Sequence, residues 1–176
     1  MIIYRKAKEA DAKEANRLLR RVTASAKYDN VLFPFPLVDE EKLNESISNG
    51  KCYLALVKKT PIALAIVEKD VSSYFYPKSH DGGKLMELIG KTEWKMNEDV
   101  IVLAFLSVDP LYRDKGIGSE MLSYIEREFP RFLFLSSLDV SNAKGVEYLR
   151  KNGYKRVDLE NFEYSNTPQQ LLFKRL

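Results

Sequence analysis

The sequence predicts an α/β (α+β) fold, a mixed central sheet of about six to seven strands with helices on both faces. Three observations predict it. Apolar runs of strand length alternate with stretches whose apolar residues recur at spacings of three and four. Some neighbouring strands are joined by a short turn, which makes hairpins, and others by a helix, which makes parallel crossovers. The run Val100–Val108 is apolar on both faces, as a central strand covered from both sides must be. The 176 residues are enough to bury such a core without disulfide or metal staples. They read as one domain, 1–176, with residues 70–98 as an irregular insertion between strands.

The elements follow in order. Ile2 to Arg5 reads as a first strand. Ala12, Ala15, Leu18, Leu19 and Val22 share one helix face, with charged residues between them. Residues 30–36 form an apolar, proline-containing loop. A second helix starts at Asp39, has Glu40 and Glu41 in its first turn and stops at Asn49-Gly50. Strands over Lys51–Val57 and Ile62–Glu68 flank a turn, Lys58 to Pro61. Within 70–98, prolines and glycines break every long period, leaving at most a helix over Lys84–Ile89. After Val108, Asp109-Pro110 ends strand pairing. A helix then runs from Gly116-Ile117-Gly118 to about Phe129, with Ile117, Met121, Leu122 and Ile125 on one face. Phe132–Leu138 is a buried strand, Asn142–Asn152 a helix ended by Gly153, and Tyr154–Leu159 and Leu171–Arg175 the last strands. The order is β-α-α-β-β-β-α-β-α-β-β.

Composition narrows the function. Lys and Arg exceed Asp and Glu by only 28 to 25, too little charge to argue for nucleic acid. One cysteine, Cys52, and one histidine, His80, exclude an internal disulfide, a cysteine-rich zinc site and a two-histidine metal site, so no metal is expected. The longest apolar run falls far short of the roughly 18 residues that span a bilayer, and the N-terminus meets charge too early for a signal peptide. A soluble, cytoplasmic protein without membrane or nucleic-acid partners is expected.

The chemistry is concentrated where the buried strand ends. Leu106-Ser107-Val108-Asp109-Pro110 leads through Leu111, Tyr112, Arg113, Asp114 and Lys115 into Gly116-Ile117-Gly118-Ser119 and a helix. Helix N-termini offer unpaired N–H groups and the positive end of a dipole, and glycines let a phosphate approach the backbone. Arg113 and Lys115 add positive charge. The reading is a pyrophosphate cradle; the alternative is a glycine-rich turn with solvated basic residues. A dinucleotide fingerprint fails because its third glycine position is Met121, and a P-loop at Gly90-Lys91-Thr92 fails at Leu85.

These residues resemble the GNAT acyltransferases, which move an acetyl group from acetyl-CoA to an amine. Arg113-Asp114-Lys115-Gly116-Ile117-Gly118 matches the family's [Q/R]-x-x-G-x-[G/A] signature, and Asn142 through Gly153-Tyr154 is similar to its second motif. The resemblance implies that the CoA pyrophosphate sits on N–H groups from Arg113 to Ser119. It implies that pantetheine pairs with the backbone at Leu106 and Val108, between two splayed parallel strands, and that Asn142 helps to hold it. Lys151 is the basic residue expected at the adenosine phosphates, and Lys144 is expected to be solvated. The sequence departs from the family in two places. The usual tyrosine acid, seven residues after the asparagine, is Leu149, with Tyr148 one step of about 100° away. The usual strand glutamate is replaced by the apolar run Val102-Leu103-Ala104-Phe105.

Candidate catalytic groups are therefore Tyr148 as acid and Glu68, Asp99, Glu98 or His80 as base. A water chain is the alternative base, since acyl transfer leans heavily on positioning. The expected function is N-acetylation of a primary amine by direct attack on the acetyl-CoA thioester, with no metal. The alternative is an acyl-CoA-binding module with little turnover. The acceptor is expected to be an amine-bearing small molecule or peptide, bound between residues 23–36, 70–98 and 161–169, and the protein to be a monomer or homodimer. A nucleic-acid role, suggested by Arg150, Lys151, Lys155 and Arg156, lacks a reading motif.

Overall fold

The computed structural model describes residues 1–26, 38–69, 99–139, 141–157, 163–164 and 167–176. His80, Glu98, the helix expected over 84–89 and much of the expected acceptor groove lie outside them.

Eight strands are described: β1 (Ile2–Lys6), β2 (Cys52–Val57), β3 (Thr60–Glu68), β4 (Val100–Val108), β5 (Leu133–Asp139), β6 (Lys155–Val157), β7 (Glu163–Tyr164) and β8 (Thr167–Arg175). Four α-helices accompany them: α1 (Ala12–Ala26), α2 (Glu40–Ser48), α3 (Ile117–Glu128) and α4 (Ala143–Lys151). The sheet runs β1-β2-β3-β4-β5-β8-β6, with β7 beside β8. Among the described strand pairs only β4–β5 is parallel; the others are antiparallel. This is the mixed sheet expected, with one strand more. The added β7 is a two-residue partner of a β8 that begins four residues before the expected Leu171, too short to leave a pattern in sequence.

Two apolar cores lie on opposite faces. One joins α3 and Leu149 of α4 to the sheet through Ile101, Leu103, Leu106, Ile117, Met121 and Phe134. The other joins α1 and α2 to it through Leu18, Val22, Leu43, Leu54, Ile66 and Phe105. The helix signals act as expected: Asp39 caps α2 by accepting from the Lys42 N–H at 2.8 Å, and Gly50 follows its end at φ +65°. The β2–β3 turn is tighter than expected. Lys58 and Lys59 both take positive φ, a two-residue hairpin turn, so Pro61 lies inside β3, beside a register shift that tolerates it. No described helix is long and apolar enough to cross a membrane.

The feature that positions the site is in β4. Ile66 pairs with Phe105 and Val67 with Leu103, so Ala104 is an extra residue, a β-bulge, which bends the strand that carries it. The parallel pairing of β4 with β5 stops just before it, at Val102–Leu135. There the buried Ser136 hydroxyl donates to the Leu103 carbonyl at 3.4 Å. Beyond this fork β4 keeps only β3 as a paired neighbour among the described strands.

Candidate functional site

The fork opens into a cleft of about 690 Å³. The end of β4 forms one wall, the loop 110–116 and the first turn of α3 another, and the N-terminal half of α4 the third. Asp114 (φ +60°) and Gly116 (φ +77°) take left-handed conformations two residues apart, and Gly116 is the N-cap of α3. Aspartate tolerates such a φ and glycine adopts it at no steric cost, which accounts for Gly116. Gly118 answers a different need. A Cβ there would stand 2.9 Å from the Tyr148 hydroxyl oxygen and 3.5 Å from Val108, so the helix start is bare backbone because α4 approaches it. An N-terminus of this kind, with four orphan N–H groups and a positive dipole end, is suited to an anion.

Most of the expected donor-site residues meet here. Leu106, Ser107, Val108, Arg113, Asp114, Gly116, Ile117, Gly118 and Ser119 all line the cleft. Three do not. Lys115 folds back, donating to the Leu111 carbonyl at 3.1 Å and lying over the Tyr112 ring. Asn142 is the N-cap of α4; its Oδ1 accepts from Gly145 N–H at 2.9 Å, and Gly145 lines the cleft in its place. Lys151 is exposed and paired with Glu147 at 2.7 Å. The basic residue of α4 in the cleft is Lys144, seven residues earlier and so two turns, about 10 Å, nearer the helix N-terminus.

Tyr148 reaches the cleft and Leu149 does not. Leu149 is fully buried in the core, whereas Tyr148, four residues after Lys144 and three after Gly145, shares their face. That spacing is the signal by which sequence alone could have placed it. The Tyr148 oxygen is buried and makes no hydrogen bond of ordinary geometry, although Ser119 sits near enough to favour its ionised form a little. Burial dominates and pushes the hydroxyl up to about 12, so it holds its proton at neutral pH. Ser107 Oγ is a second buried oxygen without a partner, also on a cleft-lining residue. Buried polar groups are nearly always satisfied, so two orphans beside one cleft fit a ligand that completes them.

The two described candidate bases, Glu68 and Asp99, are elsewhere. Glu68 is buried at the far end of β3, opposite Val102, where Lys51 at 2.6 Å and Lys42 at 3.4 Å neutralise it. Four residues of extended strand, about 13 Å, separate Val102 from Leu106. Asp99 is exposed at the start of β4, the same far end. Among the described residues lining the cleft, Asp114 is the only carboxylate.

The comparisons agree with this geometry. Residues 19–154 match the family model described as Acetyltransferase (GNAT) family. Among solved structures, a GNAT-family acetyltransferase from Listeria monocytogenes superposes with a TM-score of 0.70 at 15% identity, over 99% of this chain and 95% of that one. The polyamine N-acetyltransferase of Drosophila melanogaster, which forms N-acetylagmatine, gives 0.59 at 16% identity over the whole of both chains. The ribosomal-protein-S18-alanine N-acetyltransferase of Escherichia coli gives 0.60 at 12% over 98% and 91%. At these identities the likeness is one of fold. No curated protein sequence matches.

Proposed function

The chain belongs to the GNAT acetyltransferase family, and from that premise we propose that it transfers an acetyl group from acetyl-CoA to a primary amine, binding the donor in the cleft between β4, α3 and α4. One observation carries the reading: the bare N-terminus of α3, kept clear at Gly118, opens into the same cleft as the half of β4 that β5 leaves.

Each wall then has a task. Backbone N–H groups from Gly116 to Ser119 hold the pyrophosphate, and Lys144 adds charge beside it. The β4 segment Leu106–Val108 receives the pantetheine arm in place of a paired strand. When bound, acetyl-CoA supplies an activated acetyl thioester for the amine to attack. Tyr148 is the proton donor for the departing sulfur, being buried, protonated and, among the described residues, without a hydrogen bond of ordinary geometry. With no base assigned, the amine enters deprotonated or loses its proton to water, and the rate comes chiefly from positioning. The acceptor is an amine-bearing small molecule or peptide, and residues 1–176 act as one domain.

A second reading, an acyl-CoA-binding module with little turnover, is favoured by the lack of any carboxylate on the cleft-lining part of β4. Calorimetric titration with acetyl-CoA, with CoA as the comparison, tests the donor site; micromolar binding is expected, and absence of binding overturns both readings. Turnover on a panel of polyamines, aminoalkyl compounds and peptide N-termini then separates them. Acetylation of any member rejects the binding module, and tight binding without turnover rejects the enzyme.

A further inference from the structure

We propose that Arg21 and Ser25, on α1, are positioning residues for the donor cradle, acting through Asp109 and Arg113. The inference rests on reading the cleft as the donor site. Two arginine side chains cross in opposite directions between the end of α1 and the segment leading into the cradle. Arg21 reaches out from α1, its Nε donating to Asp109 Oδ2 at 2.9 Å and its Nη2 forming an ion pair with the same oxygen at 2.8 Å. Asp109 is only 3% exposed and is fully used: Oδ1 accepts from Leu111 N–H at 3.1 Å, and its own N–H donates to the Ile62 carbonyl at 2.8 Å. One buried residue thus ties the end of β4, the neighbouring β3, the turn at 110–112 and α1 together. Arg113 reaches back the other way, Nε donating to the Val108 carbonyl at 3.3 Å and Nη2 to Ser25 Oγ at 2.8 Å. Ser25 can accept that bond because its own proton goes to the Val22 carbonyl at 2.9 Å.

Arg113, which the sequence suggests as a phosphate ligand, therefore spends at least part of its guanidinium as a strap. The consequence for binding is physical. A cradle made of backbone N–H groups has no rotamers with which to correct a misplaced ligand, so its aim depends on the path of the chain that enters it. That path is set by Asp109 and Arg113, and both are held from α1. A buried carboxylate also needs its cation, which makes Arg21 more than a surface charge.

The test is calorimetry with acetyl-CoA on wild type, Arg21→Met, Arg21→Lys and Ser25→Ala, with D-pantetheine, which lacks the phosphates, as a second ligand. Arg21→Met is expected to weaken acetyl-CoA about tenfold while pantetheine changes less than about twofold, and Arg21→Lys to recover to within about threefold of wild type. Ser25→Ala, a milder change, is expected to cost about threefold for acetyl-CoA alone. Wild-type affinity in Arg21→Met, equal loss of both ligands, or no recovery with lysine overturns the proposal. If Arg21→Met does not fold, Ser25→Ala decides, and an unchanged acetyl-CoA affinity there overturns it. A wild type that fails to bind acetyl-CoA is a different result, since it removes the donor-site reading itself.

Discussion

The two halves of β4 are built from the same kind of residue and end in different roles. Val100 to Val102 pairs with β5, and Val102 has Glu68 on its other side; Leu106 to Val108 keeps β3, has lost β5 and faces a cleft. Both halves are almost wholly buried and apolar apart from Ser107. What separates scaffold from site is therefore the neighbour each half has, and the change of neighbour comes at one extra residue, Ala104.

If that contrast is right, substitutions in the two halves should fail in different ways. The largest effect belongs to the paired half. Ile101→Ala, which empties a fully buried position, should cost about 2–5 kcal/mol of stability in urea denaturation while acetyl-CoA affinity of the folded protein stays unchanged. An affinity loss of the same size would dissolve the division. Across the cleft, Tyr148→Phe should lower kcat about a hundredfold with little change in acetyl-CoA affinity. Because burial pushes the hydroxyl up to about 12, the proton donor stays loaded through neutral pH, and the wild-type kcat should show no loss with rising pH below about 11, whatever acid limb the amine's own protonation adds. A falling limb near neutrality that Tyr148→Phe removes would contradict the burial argument. Gly118→Val, which puts a side chain against Tyr148 and into the cleft, should weaken acetyl-CoA about tenfold by calorimetry and cost about 1–3 kcal/mol of stability, since its Cβ meets the buried Tyr148 oxygen. Smallest for function is Glu68→Gln. It should destabilise by about 1–3 kcal/mol, since two lysines lose their carboxylate, and leave turnover per folded molecule where it was.

The fold was legible because its signals are periodic and redundant. α1 buries Ala15, Leu18, Leu19 and Val22 as their spacing requires, and β4 spans the residues its apolar run marks out. The glycine-rich start of α3 was legible because Gly116 and Gly118 are there for reasons that act on the backbone, one a left-handed φ and the other a close approach. Side-chain roles were harder where one residue type serves two purposes. An asparagine at a helix start can hold a ligand or cap the helix, and the Asn142 Oδ1 caps it. Lys144 and Lys151 lie on nearly one face of α4, so only the end of the helix that meets the cleft distinguishes them. Glu68 reads as a base at a strand end until the register shows which end.

The bulge has one more consequence. Ala104 and Phe105 both belong to the core on the α1 side, while Leu103 and Leu106 belong to the other. Removing Ala104 would therefore leave every later side chain of β4 on the face it already occupies, and the alternation would become regular. The molecule should still fold, but the strand would have no reason to bend from β5, and the two could zip together to their tips. In architectural terms the cleft is a seam left open by a single surplus residue, and a deletion of one codon is the smallest edit that would sew it shut.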